Sequence, residues 1–153
     1  MLHFATRNVP LRVLCVEEDE VQRKLLQACF DVADAQALFA DSAARALWLF
    51  RRNRVDIVLM DIDLHAADEL AAFEEMHATP HRKPLILAVT DNGCRWSEGD
   101  YREAGFDGLF LKPVVPTQLF AEVDRALRDA GRPPLLENAN RNVGFDARLA
   151  LAH

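Results

Sequence analysis

Two carboxylates, Asp61 and Asp63, stand at the end of an apolar run in the segment VDIVLMDIDLH, residues 55–65. The run has the composition of a buried strand, and a carboxylate is costly to bury unless it is paired or coordinates a metal. Carboxylate oxygens are ligands that Mg²⁺ prefers, and a carboxylate can also act as a nucleophile toward phosphorus. The position of these acids therefore predicts a chemical task for them.

Polar side chains also end three other predicted strands. These residues are Glu17, Glu18 and Asp19 after the first strand, Thr90 at the end of the fourth, and Lys112 at the end of the fifth. An aspartate held against Mg²⁺ can attack a phosphoryl donor and form an aspartyl phosphate. The charge of the transferring group spreads over three oxygens, which a metal, an ammonium and a hydroxyl can share. Asp61, Lys112 and Thr90 supply the nucleophile, the ammonium and the hydroxyl.

Strand-like and helix-like segments alternate along the chain, and this order positions the polar residues. The predicted strands cover residues 11–16, 35–40, 55–60, 84–90 and 108–112. The predicted helices cover residues 21–30, a segment capped by Asp41 or Ser42, and residues 67–78, 97–104 and 117–131. Strict alternation predicts an α/β fold whose parallel sheet is covered by helices on both faces. Because ligands of such sheets gather at the carboxyl ends of the strands, the polar residues should converge there.

Composition excludes several classes of protein. A chain of 153 residues, half of them apolar, predicts one domain with one sizeable core. The formal charge of −6 argues against a nucleic-acid partner and an acidic membrane surface. The longest apolar stretch, LILAV, is too short to span a membrane. Three cysteines without CxxC spacing argue against disulfides and a zinc site, so we expect a cytoplasmic protein.

Four motifs resemble, in this order, those of the receiver domain of two-component response regulators. They are VLCVEEDE, DIVLMDIDL, LAVTDNG and LFLKPV. The resemblance covers residues 11 to about 130 and implies a flavodoxin-like, five-stranded parallel sheet with strand order 2-1-3-4-5. The segments around Asp61 and Thr90 are most similar to receivers of phosphorelays with hybrid histidine kinases. Residues 1–10 then form an N-terminal extension, and residues 131–153 form a C-terminal tail without an output domain.

The resemblance implies a role for each polar residue. The expected cofactor is Mg²⁺. The residues that would bind it are Glu17, Glu18, Asp61 and, through its backbone carbonyl, Asp63. Asp61 is the phosphoacceptor, Thr90 contacts the phosphoryl group and Lys112 bridges it. The implied donor is a sensor histidine kinase or a histidine phosphotransfer protein. Phosphorylation would then alter binding of a downstream protein through the fourth and fifth helices, and we do not classify such a self-modifying module as an enzyme.

Glu18, Glu69 and Leu109 are among the positions that depart from the family's pattern. The acid pair is Glu17–Glu18 rather than Asp–Asp or Glu–Asp, and the extra methylene of Glu18 moves its carboxylate outward. Glu69 stands where glycine is common. Leu109 replaces the aromatic residue that rotates on phosphorylation, and Phe110 should point to the opposite face of its strand. These departures favour, as an alternative, a degenerate receiver that acts as a phosphorylation-independent protein-interaction module.

Other interpretations concern the enzyme class and the periphery of the domain. A small Mg²⁺-dependent phosphatase using Asp61 and Asp63 would need a longer chain with a cap. We predict core packing for Trp48 in the second helix, and a loosely packed tail after Gly131. A homodimer formed through the tail segment FDARLALA is the alternative for that region.

Overall fold

Five parallel strands form one sheet in the part of the chain that the computed structural model describes, residues 10–62, 67–80, 83–91 and 97–135. The strands are β1 (Arg12–Val16), β2 (Gln36–Ala40), β3 (Ile57–Asp61), β4 (Leu85–Thr90) and β5 (Gly108–Leu111). Their order is β2-β1-β3-β4-β5, and every neighbouring pair is parallel. The predicted fold class and strand order are confirmed.

Five helices connect and follow the strands. They are α1 (Glu20–Val32), α2 (Ala43–Arg52), α3 (Ala67–His77), α4 (Glu98–Ala104) and α5 (Pro116–Asp129). Their ends have local causes: Asp19 accepts a hydrogen bond from the Gln22 N–H, and Ser42, not Asp41, accepts one from the Arg45 N–H. Helix α4 ends at Gly105, whose φ of 110° lies in the left-handed region that glycine tolerates.

The sheet is buried on both faces, so its strands read as continuous apolar runs. Alternate residues point to opposite sides, and Leu59 and Met60 illustrate this on β3. Leu59 belongs to the core beneath α1 and α5, whereas Met60 belongs to the core beneath α2, α3 and α4. None of the described helices is long and apolar enough to cross a membrane.

The prediction that Trp48 packs in the core is wrong. The side chain is 43% exposed, and the guanidinium groups of Arg45 and Arg52 lie 4.4 and 4.2 Å from its ring centroid. Helix α2 buries Ala46, and a residue two positions later lies about 200° further around the helix. Trp48 therefore faces outward, where its ring packs under charged side chains instead of apolar ones.

The chain returns to the domain directly after α5. The Leu135 side chain is 1% exposed, and the backbone N–H of Leu135 donates to Asp124 Oδ1. Arg132 Nη2 lies 3.1 Å from Asp56 Oδ1, at the amino end of β3. The first residues of the predicted tail thus pack against the domain, and residues 1–9 and 136–153 lie outside the described residues.

Candidate functional site

Asp61 and Lys112 meet at the carboxyl edge of the sheet. Asp61 is the last residue of β3, and Lys112 directly follows β5. The Lys112 N–H donates to the Thr90 carbonyl at 2.7 Å, which fixes the backbone from which the ammonium extends. Lys112 Nζ then donates to Asp61 Oδ2 at 2.9 Å. Two residues that are far apart in sequence form a short charge-assisted hydrogen bond.

Glu17 is the buried acid of this edge. It directly follows β1, and its N–H donates to the Ala40 carbonyl of β2 at 2.9 Å. Its side chain is buried, and Oε1 lies 3.4 Å from Lys112 Nζ. One ammonium therefore faces two carboxylates, those of Glu17 and Asp61.

Burial and the neighbouring charges shift the pKa values of Glu17 and Lys112. Burial, with the neighbouring Asp61 carboxylate, raises the pKa of Glu17 to about 7, although Lys112 acts in the opposite direction. Partial burial lowers the pKa of Lys112, but the hydrogen bonds and charges of Asp61 and Glu17 outweigh it, so the net pKa is raised. A proton on Glu17 supplies positive charge that Lys112 alone does not provide. A bound cation would supply the same charge.

The two adjacent glutamates in the turn between β1 and α1 differ in exposure. Glu18 is exposed, whereas Glu17 is buried. Arg23 Nη1 donates to the backbone carbonyls of Glu17 and Glu18 at 2.9 and 2.7 Å, and Asp19 caps α1. The Asp19 carboxylate is thus engaged at the helix start. Arg23 was missed from the sequence, where only its place one turn into α1 was visible.

The remaining predicted site residues fall into three groups. Thr90 is buried at the end of β4, next to β3 in the sheet. Asp63 lies outside the described residues. Glu18 is exposed to solvent. Among the described residues, no group of three histidine, cysteine or acidic side chains is placed to hold a metal. Glu17, Asp61 and Lys112 are the predicted residues that direct contacts bring together.

The other departures have ordinary local structures. Leu109 packs against the core beneath α4, and Phe110 belongs to the opposite core, which confirms the predicted alternation. Glu69 lies in the first turn of α3, where an acidic side chain interacts favourably with the helix dipole.

Comparison with known proteins identifies the family. The model of the response regulator receiver domain matches residues 13–124. The chain belongs to this family. Receiver domains are signalling modules of two-component systems, and the strand order and the acid–lysine cluster described above lie within the matched residues.

Two curated receiver proteins show how much of a relative the chain spans. The regulatory protein AtoC of Escherichia coli is 30% identical over 117 residues, which are 76% of this chain and 25% of AtoC. The polar-differentiation response regulator DivK of Brucella anthropi is 24% identical over 123 residues, which are 80% of this chain and all of DivK. The chain thus spans a quarter of AtoC and the full length of DivK.

Solved structures share the fold. The receiver domain of the sensor histidine kinase PA1611 of Pseudomonas aeruginosa, with magnesium coordinated in its active-site cleft, has a TM-score of 0.65 at 24% identity, covering 76% of this chain and 97% of that one. The receiver domain of Ssk1 of Saccharomyces cerevisiae, in complex with the histidine phosphotransfer protein Ypd1, has a TM-score of 0.62 at 16% identity, covering 72% and 83%.

Proposed function

We propose that this receiver domain accepts a phosphoryl group on Asp61 from a sensor histidine kinase or a histidine phosphotransfer protein, with Mg²⁺ as cofactor. The observation that carries the proposal is the hydrogen bond of 2.9 Å between Lys112 Nζ and Asp61 Oδ2, with Glu17 beside it. A partly buried cluster of two acids and one ammonium at the carboxyl edge of a parallel sheet is suited to an anionic, metal-assisted reaction.

The proposed reaction forms one bond and breaks another. A carboxylate oxygen of Asp61 attacks the phosphorus of a phosphohistidine, the P–N bond breaks, and its electron pair stays on the imidazole nitrogen of the donor. Lys112 shifts its hydrogen bond from the Asp61 carboxylate to a phosphoryl oxygen. The Thr90 hydroxyl, at the end of the neighbouring strand, donates to another phosphoryl oxygen.

The donor set fits Mg²⁺, which is bound in proteins by one or two carboxylates together with several waters. Glu17 and Asp61 supply hard oxygen atoms, and both carboxylates face the single ammonium of Lys112. When bound, the cation would neutralise charge on the phosphoryl oxygens. The magnesium in the active-site cleft of the PA1611 receiver supports this proposal. Glu18 and the Asp63 carbonyl remain the predicted additional ligands.

Intact mass after incubation with acetyl phosphate and Mg²⁺ tests the proposal. We expect an increment of one phosphoryl group in the wild-type protein and none in Asp61→Asn. Asp41→Asn is the matched control, since Asp41 is an exposed carboxylate that follows β2 at the same edge of the sheet. Labelling of Asp61→Asn would contradict the assignment. So would a wild-type protein that is labelled neither by acetyl phosphate nor by a phosphorylated phosphotransfer protein.

A phosphorylation-independent protein-interaction module is the second candidate. The observation that favours it is that Lys112 contacts two carboxylates, those of Glu17 and Asp61, whereas Glu18 is exposed to solvent. Such a module would bind its partner with the same affinity in the wild type and in Asp61→Asn, with or without acetyl phosphate. A receiver that works through Asp61 would instead bind its downstream protein with an affinity that changes on phosphorylation, through α4 and α5.

A further inference from the structure

Gln22 places an amide oxygen beneath the acid cluster. It lies in the first turn of α1, where its backbone N–H donates to the Asp19 cap at 3.0 Å. Its side-chain Oε1 is buried and has no hydrogen-bond donor among the described residues. A buried acceptor without a donor is destabilising, so native proteins satisfy nearly all such atoms with protein groups or ordered water.

A small cavity of about 10 Å³ joins Gln22 to the cluster. Its polar lining consists of Glu17, Gln22, Asp61 and Lys112, and its other walls are apolar side chains. A cavity of roughly this volume holds about one water when two to four polar groups surround it. Both conditions are met here.

Lys112 is the donor from which such a water can accept a hydrogen bond. An ammonium has three N–H donors, and two of them face Asp61 at 2.9 Å and Glu17 at 3.4 Å. Within the described residues no acceptor is found for the third. On one side of the cavity, Gln22 Oε1 is an acceptor for which the described residues supply no donor. On the other side, the Lys112 ammonium has a third N–H that is not bonded to any described residue.

We infer that Gln22 is a positioning residue for Lys112, and that one buried water links them. The water accepts from Lys112 Nζ and donates to Gln22 Oε1, with its second hydrogen directed to a carboxylate of the cluster. For its consequence in catalysis this inference rests on the proposed function. When Lys112 turns from Asp61 to a phosphoryl oxygen, the link to Gln22 keeps the ammonium within reach of the reacting group.

Substitution of Gln22 by methionine, which has nearly the same length and no amide, tests the link. The readout is the NMR signal of the Lys112 side-chain ammonium in unphosphorylated, Mg²⁺-free protein, and the exchange rate of its protons with solvent. We expect exchange about tenfold faster in Gln22→Met, because a hydrogen bond of a charged group is lost. Gln27→Met is the matched control: the same change on the same helix, where Gln27 instead donates to Asp31. It should leave the Lys112 signal unchanged.

The melting temperature distinguishes a hydrogen-bonded Gln22 amide oxygen from one without a donor. If the water bridge exists, Gln22→Met lowers the melting temperature by about 3 °C. If Gln22 Oε1 is without a donor, the substitution removes a buried unsatisfied group and raises it. Unchanged ammonium exchange together with a raised melting temperature would overturn the inference.

The catalytic consequence is measured separately. With acetyl phosphate and Mg²⁺, we expect phosphorylation of Asp61 to be about tenfold slower in Gln22→Met, since a mobile ammonium stabilises the transferring group less well. Absence of labelling in the wild type would count against the proposed function, whereas the ammonium exchange in unphosphorylated protein tests the Gln22 link by itself. A wild-type rate in Gln22→Met would contradict the positioning role.

Discussion

Glu17 makes the stability of the metal-free domain depend on pH. Its pKa rises from an ordinary value of 4.5 to about 7 in the folded protein, because of burial and the nearby Asp61 carboxylate. The folded state therefore keeps a proton that the unfolded state has already released between these two values. Unfolding releases that proton, so the free energy of unfolding must fall as the pH rises through this window and level off above about 7.

The magnitude follows from the same two values. Each pH unit within the window contributes up to about 1.4 kcal/mol, so the interval from 4.5 to about 7 contributes at most about 3.5 kcal/mol. Glu17→Gln keeps the size of the side chain and does not titrate, which removes this contribution. Glu18→Gln is the matched control, because Glu18 is the adjacent, exposed carboxylate.

Urea unfolding followed by circular dichroism at a series of pH values, with a chelator present, measures the effect. The wild type and Glu18→Gln should lose stability between mildly acidic and neutral pH, and the difference between wild type and Glu17→Gln should follow a single titration. Added Mg²⁺ should restore stability above neutral pH, because it binds the deprotonated cluster of the folded state. Parallel pH curves for wild type and Glu17→Gln would refute the reasoning.

Three further predictions address the cluster and the periphery. Lys112→Met should raise the pKa of Glu17 further, because the Lys112 ammonium lowers that pKa in the wild type. NMR titration of the Glu17 carboxyl group measures the change. An unchanged pKa would mean that the ion pair of 3.4 Å between Lys112 and Glu17 is absent in solution. Leu135→Ala should destabilise the domain by about 2–4 kcal/mol in urea unfolding, as expected for a buried leucine; a loss below about 0.5 kcal/mol would show that this segment does not pack. Trp48→Ala should cost less than about 1 kcal/mol, because the ring is largely outside the core, and a larger loss would place it inside.

The fold was predictable because its signals are local. Apolar strands such as β3 and capped, periodic helices such as α1 alternate without exception, and the chirality of parallel connections then restricts the topology. The meeting of Asp61 and Lys112 was predictable for the same reason, since both end strands of one parallel sheet. No special pattern at either residue was needed beyond its place at a strand end.

The features that sequence reasoning missed depend on directions of side chains. Trp48 lies in an apolar stretch, but its angle around α2 turns it outward. Gln22 looks like an ordinary polar residue of a helix start, yet its amide oxygen is buried. Leu135 follows two prolines that come after the end of α5, and the contact of its backbone with Asp124 becomes visible only in three dimensions. Burial of a particular atom is set by neighbours far apart in sequence.

The Asp56 carboxylate joins two strands and the segment after α5 at the amino edge of the sheet. It accepts from the Arg12 N–H at the start of β1 and from Arg132 after α5, and it directly precedes β3. The same two strands present Glu17 and Asp61 at their other ends, about 16 Å away for strands of this length. Asp56 therefore ties the amino ends of β1 and β3 to the segment that follows α5, at the opposite end of these strands from Glu17 and Asp61.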